Sequence, residues 1–147
     1  MQDRFEQKSE KGQGMVEFAV SLVILMLILA GILDLGRMFF QYIAMRDAAQ
    51  EGAVYAIVEP TFCNQIEART EDLMAMDPAD IDVEILISGE PCGTPAATAA
   101  SCSGNEIRVT VTDPDFPITM PFLGEFVGQS INLEASISGT ILRPPCP

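Results

Sequence analysis

The sequence contains no histidine and no tryptophan, and only 8 basic side chains stand against 21 acidic ones. Without histidine, the residue type that most often transfers protons near neutral pH is missing. The formal net charge of −13 argues against nucleic-acid binding, because such a surface repels a polyanion. The sequence also lacks a glycine-rich phosphate loop and any CxxC or histidine pair with zinc-ligand spacing. We therefore expect no nucleic-acid partner, no zinc site and no cofactor.

Carboxylates are the remaining candidates for acid-base chemistry. They stand in turn-like contexts, where acidic side chains most often shape turns or face solvent. The pairs Asp80/Asp82 and Asp113/Asp115 have a spacing that suits calcium ligands. However, the sequence contains no twelve-residue calcium loop with its glycine and final glutamate. We expect neither an enzyme nor a metal site. The carboxylates considered are Asp77, Asp80, Asp82, Asp113 and Asp115.

The longest apolar stretch lies near the N-terminus and carries one carboxylate, Glu17, close to its start. Residues 18–33 have no charge and span about 24 Å as a helix, so a membrane crossing of roughly 30 Å needs about residues 14–33. The polar segment 1–12 contains three basic residues, which predicts a cytoplasmic N-terminus. Everything after Asp34 is then expected outside the cytoplasmic membrane.

The helical pattern continues beyond the apolar run. The first later proline is Pro60, so we predict one helix over residues 13–58, about 65 Å long. Its extramembrane half is amphipathic, and Asp34, Arg37 and Gln41 fall outside the apolar stripe. The predicted stripe consists of Leu35, Met38, Tyr42, Met45, Ala49, Gly52 and Ala56.

The remainder, 59–147, is predicted to form a separate head domain. Residues 64–76 fit one short helix, and residues 81–88, 105–113 and 130–142 alternate apolar and polar side chains as strands do. The predicted class is α+β, in which a small antiparallel sheet covers the C-terminal half of the long helix.

The connection 114–128 between the last two predicted strands is rich in proline and apolar residues. It either packs onto its own domain or contacts a neighbouring subunit or the membrane surface. Its large apolar residues are Phe116, Phe122, Leu123 and Phe126.

Four cysteines all follow the apolar run, at positions 63, 92, 102 and 146. In an oxidising compartment an even count predicts two disulfides, and four cysteines allow three pairings. Cys92 and Cys102 flank a loop of small residues, so we predict the pairs Cys92–Cys102 and Cys63–Cys146. The alternative is four free, buried thiols in a reducing cytosol.

The segment Gly12-Gln13-Gly14-Met15-Val16-Glu17-Phe18 resembles the processing site of prepilins in the type IV filament superfamily. The Asp-x-Gly-Arg segment at 34–37 and the Ala-Ala-x-Glu-Gly-Ala segment at 48–53 are similar to TadE/TadG-like pseudopilins of the Tad (tight adherence) system. This resemblance implies a pilin-like fold and cleavage between Gly12 and Gln13 by a prepilin peptidase, which would remove residues 1–12 as a leader peptide. It also implies a membrane assembly platform, and assembly with copies of itself or other pilins at the cell surface.

The resemblance assigns Glu17 and Phe18 to assembly, with Glu17 the fifth residue of the mature chain. Cleavage frees an α-amino group, whose ordinary pKa of about 7.7 to 8.0 leaves it mostly protonated at neutral pH. The carboxylate is then expected to pair with this amine or with that of a neighbour. An N-terminal glutamine that cyclises has no basic amine. Two other functions stay open: an uncleaved, membrane-anchored binding module, and a soluble domain released after a secretory signal.

Overall fold

The computed structural model describes residues 7–74, 80–119, 128–143 and 145. Its first element is a single 50-residue helix, α1 (Gln7–Ala56). Apolar residues at helical spacing and the absence of proline before Pro60 explain its length. The predicted helix 13–58 is thus observed, with its end at Ala56 and its start inside the segment predicted as a leader.

Two short helices accompany α1. Helix α2 (Cys63–Asp72) lies within the predicted range 64–76 apart from its first residue. The chain then forms strands β1 (Asp82–Ile87) and β2 (Glu90–Pro91) before helix α3 (Pro95–Ala100). Thr94 caps α3 by accepting a hydrogen bond from the Ala97 N–H at 3.2 Å, and Pro95 occupies its first turn. Sequence analysis predicted one short helix, and α3 is the second.

The head contains one antiparallel four-stranded sheet in the order β2-β1-β3-β4, completed by β3 (Glu106–Pro117) and β4 (Ser130–Thr140). Strand β2 was not predicted. It forms because Ser88 and Gly89 both adopt positive φ, 51° and 84°, as the two central residues of a tight hairpin turn do. Strand β3 runs beyond its predicted end, with an irregularity between Asp113 and Phe116.

The core lies between this sheet, α2 and the last third of α1. Met45, Ala48, Ala49 and Ala56 are fully buried, as are Val109 and Val111 of β3. Small alanine side chains bring the backbone of α1 close to the sheet. The end of α1 is also tied to the C-terminal end of the sheet, because the Leu142 N–H donates to the Ile57 carbonyl at 2.8 Å. The predicted α+β arrangement of sheet on helix is therefore confirmed.

The predicted disulfide pairs are wrong. Cys63, at the start of α2, is bonded to Cys92, just after β2, and Cys102 is also disulfide-bonded. Residues 92–102 do not form the short closed loop that the prediction assumed, because α3 occupies them. The Cys92 sulfur lies instead beside the N-terminal end of α2, 3.7 Å from the Pro60 carbonyl oxygen. Cys146 lies outside the described residues.

Gly52 marks the closest approach of α1 to α2. A Cβ at this position would collide with Thr70 Oγ1 and lie 3.5 Å from Val109 Cγ1. We expect Gly52→Ala to lower the free energy of unfolding of the head by about 1–3 kcal/mol, because α2 must shift. Hydrogen exchange of the α2 and β3 amides measures this loss. Gly36→Ala is the control, since nothing lies within 4 Å of its Cβ; an equal loss in both variants would contradict the packing argument.

Candidate assembly surface

The residues of the predicted processing site lie together on the exposed N-terminal part of α1. Gly12, Gln13, Glu17 and Phe18 are all exposed, and Phe18 has 68% of its surface accessible. The Gln13 side-chain amide donates a hydrogen bond to Glu17 Oε1 at 3.1 Å, one helical turn along. This neutral donor solvates the carboxylate without balancing its charge. Among the side chains that the structure describes, no cation pairs with Glu17.

Gly12–Ala56 is long and apolar enough to cross a membrane, and its most apolar window is 0% buried inside the protein. A continuous buried face of α1 against the head begins only at Met45. In the isolated chain the preceding part of α1 therefore exposes its apolar residues to solvent. Such a helix must be covered by lipid or by other helices. These features indicate membrane anchoring through α1.

In the part of α1 that precedes Met45 in sequence, the stripe that faces the head differs from the predicted one. Met45, Ala49, Gly52 and Ala56 are buried as predicted, and Met38 is partly buried. Leu35 and Tyr42, however, are 61% and 43% exposed. Asp34 and Gln41, which the prediction placed outside the stripe, are instead partly buried. The predicted assignment of these four residues is therefore wrong: Asp34 and Gln41 are partly buried, whereas Leu35 and Tyr42 are exposed.

Asp34 and Arg37 of α1 form hydrogen bonds with Thr119, and we call this group of contacts the latch. The latch explains why polar residues of this part of α1 lie against the head. Asp34 accepts hydrogen bonds from the Thr119 backbone N–H, at 3.0 Å, and from the Thr119 hydroxyl. Arg37 donates to Thr119 Oγ1 at 2.9 Å, and its guanidinium lies 5.7 Å from the ring centre of Phe116. The Asp-x-Gly-Arg segment singled out in the sequence thus joins α1 to the end of β3, just beyond the apolar run.

We expect Asp34→Ala to free the end of β3 from α1. Hydrogen bonds to a charged group contribute about 1.5–3 kcal/mol, and partial exposure places this case at the lower end. The measurement is hydrogen exchange of the Thr119 amide, which loses its acceptor and is expected to exchange at least about tenfold faster. Asp47→Ala, which removes an exposed carboxylate elsewhere on α1, is the control. Unchanged protection at Thr119 in Asp34→Ala would count against the latch.

An apolar groove of about 570 Å³ lies beside the latch, on a flank of α1. Leu35, Gly36, Phe39 and Tyr42 form its helical side, and Leu133 of β4 forms the opposite wall. Its volume falls within the range of about 300–1,000 Å³ typical of small-molecule sites, but such sites carry several converging polar groups. Among the described residues that line the groove, Tyr42 carries the only polar side chain. The groove is therefore suited to apolar side chains.

The other predicted residues are not brought into one site. Asp113 Oδ1 accepts a hydrogen bond from the Asp115 backbone N–H at 3.2 Å within β3, and Ser130 of β4 donates to Asp115 Oδ1 at 3.3 Å. Within the described ranges there is no cluster of three or more metal-ligating side chains. Phe116 is buried, at 7% exposure, and packs on its own domain. Asp77, Phe122, Leu123 and Phe126 lie outside the described residues.

Comparison with known proteins supports the motifs of α1. A family model described as TadE-like protein matches residues 12–54. No curated protein and no solved structure matches the chain significantly. The matched range contains the predicted processing site, the apolar run and the latch segment 34–37, and it ends close to the end of α1. Residues 12–54 are therefore similar to TadE-like proteins, as the sequence motifs indicated.

Proposed function

We propose that the protein is a structural subunit of a Tad pilus, either a pilin or a minor pseudopilin. It is made as a membrane-anchored precursor, cleaved after Gly12 by a prepilin peptidase, and assembled at a membrane platform through its apolar helix. The head remains outside the cytoplasmic membrane and reaches the cell surface in the filament.

The observation that carries this proposal is the exposure of α1. Its residues from Gly12 to Val23 are all exposed, and large apolar residues continue to be exposed up to Ile43. A simple anchor needs about 20 apolar residues, and α1 exposes apolar side chains well past Asp34, the end of that span. Packing against other helices covers both the membrane-spanning part of α1 and the apolar part beyond Asp34. A lone anchored module would leave the second part in water.

Two further features support the proposal. The match to the TadE-like model begins at residue 12, next to the proposed cleavage point. The Cys63–Cys92 disulfide, together with the disulfide-bonded Cys102, fits a head exported to an oxidising compartment. Three basic residues before the apolar run favour the same orientation.

The test is the mature N-terminus, determined by mass spectrometry of the membrane fraction and of the sheared surface fraction. We expect the precursor and the mature chain in the membrane, and a chain that starts at Gln13 in the sheared fraction. A product lighter by one ammonia shows that Gln13 has cyclised. A chain that starts at Met1 in both fractions would contradict the proposed cleavage and favour an uncleaved surface binding module.

A further inference from the structure

The Cys63–Cys92 disulfide borders an open cavity of about 380 Å³ beside the start of α2. The described residues that line it are Thr61, Phe62, Cys63, Asn64, Gln65 and Gly93. Cys63 is thus part of the cavity wall, whereas Cys92 is absent from the described lining and packs against the hydrophobic core. The bridge is therefore open to an external reagent at its Cys63 end.

The wall of this cavity suits a segment of another protein. Its described side chains carry hydroxyl and amide groups but no charge, and Phe62, which is 48% exposed, offers an apolar contact. Gly93 leaves room beside the bridge: its φ of 87° favours glycine, and a Cβ there would lie 4.0 Å from Cys63 Sγ. A polypeptide that lies in the cavity can therefore bring a reactive group to this sulfur.

Access separates the two sulfurs of the bridge. Their polar contacts do not, because Cys63 Sγ lies 3.8 Å from the Thr61 carbonyl oxygen and Cys92 Sγ lies 3.7 Å from that of Pro60. Pro60 is fully buried, so this side of Cys92 is closed to a large reagent. The rate of thiol–disulfide exchange depends on which sulfur an incoming thiolate can reach.

We propose that the cavity is the docking site of a thiol–disulfide oxidoreductase, a thioredoxin-type protein with a reactive dithiol, and that exchange passes through Cys63. In reduction, a thiolate of the partner bonds to Cys63 Sγ, the bond to Cys92 breaks, and Cys92 leaves as a thiolate that takes a proton from water. The second thiol of the partner then displaces Cys63. The head gains two electrons and two protons, and the partner becomes a disulfide.

Helix α2 favours the same sulfur when the exchange runs towards oxidation. Cys63 is the first residue of α2, no side chain caps this end, and the first turn contains no acid. The positive end of the helix dipole stabilises a thiolate at this position. In the reduced head Cys63 therefore attacks the disulfide of the oxidised partner, and Cys92 resolves the mixed disulfide. Both directions share one intermediate, which links the partner to Cys63.

The test uses the solubilised full-length chain and a thioredoxin whose second active-site cysteine is replaced by serine, so that the mixed disulfide is not resolved. Released thiols are alkylated, and peptide mapping locates both modifications. We expect thioredoxin on Cys63 and the alkyl group on Cys92, with at least about tenfold preference over the reverse arrangement. The preference is expected to disappear when the chain is unfolded in urea.

Attachment chiefly to Cys92 or Cys102, equal attachment to Cys63 and Cys92, or reaction of the unfolded chain alone would overturn the proposal. The test requires no filament, so each of these results leaves the proposed filament function standing.

Asn64→Asp provides a second test that keeps the disulfide intact. It places a carboxylate in the first turn of α2, where the helix dipole favours it, beside the sulfur that is attacked. We expect exchange at Cys63 to slow by about threefold or more, because the new charge repels the incoming thiolate. Asn132→Asp adds the same charge at an exposed position of β4 outside the described lining and is the control. Equal exchange rates in the two variants would contradict approach through the cavity.

Discussion

Replacing Glu17 by alanine is expected to leave cleavage after Gly12 intact and to reduce the chain in sheared filaments at least tenfold. In the proposed function the peptidase recognises the glycine, whereas the carboxylate contributes to packing between helices. Removing one partner of a buried ion pair costs about 3–5 kcal/mol, because the other charge stays buried and unpaired. About 1.4 kcal/mol corresponds to a factor of ten in an equilibrium constant. The loss of a single contact of this size is therefore enough to reduce incorporation into filaments at least tenfold.

The measurement compares the ratio of precursor to mature chain in membranes with the yield of mature chain in the sheared fraction. Glu17→Gln serves as the isosteric control: it keeps the hydrogen-bonding reach to Gln13 and lacks the charge. Equal defects in the alanine and glutamine variants would locate the effect in the charge. Normal incorporation of Glu17→Ala would remove the pairing argument, and accumulation of its precursor would show that the residue acts in processing instead.

The architecture was predictable where one physical signal dominated. Apolar residues at helical spacing without proline define α1, and period-two alternation defines β1, β3 and β4. The tight turn at Ser88 and Gly89 and the capped start of α3 at Thr94 and Pro95 carry recognisable local signals for β2 and α3. Helix α3 occupies the small residues between Cys92 and Cys102, so these residues do not form the closed loop on which the predicted pair depended.

The side of α1 that faces the head could not be predicted from hydrophobicity. Between residues 31 and 45 the helix offers two stripes, one through Asp34, Met38 and Gln41 and one through Leu35, Phe39 and Tyr42. The second is the more apolar, so an isolated chain is expected to bury it. The structure instead partly buries the first, because the contact between Asp34 and Thr119 joins elements far apart in sequence. The more apolar stripe is thereby left exposed, which is the arrangement that the proposed assembly through α1 requires.

The second large expected effect concerns the disulfide between Cys63 and Cys92. The double replacement Cys63→Ser and Cys92→Ser is expected to lower the free energy of unfolding of the head by about 3–4 kcal/mol, the chain-entropy value for a loop of this length. The bridge spans 29 residues and ties the start of α2 to the chain after β2. Strand β2 contributes only two residues to the sheet, so its own pairing adds little at the Cys92 end of the bridge.

Denaturant unfolding of the solubilised chain, followed by protease susceptibility of the head, measures the loss. Val58→Ala changes an exposed side chain in the same corner and is the control, with an expected change within about 0.5 kcal/mol. Peptide mapping without reduction identifies the bridge directly, and a linked peptide joining Cys92 to Cys102 would contradict the pairing. A loss below about 1 kcal/mol in the double variant would show that the contacts of α2 with α1, chiefly at Ile66 and Thr70, hold the head without the bridge.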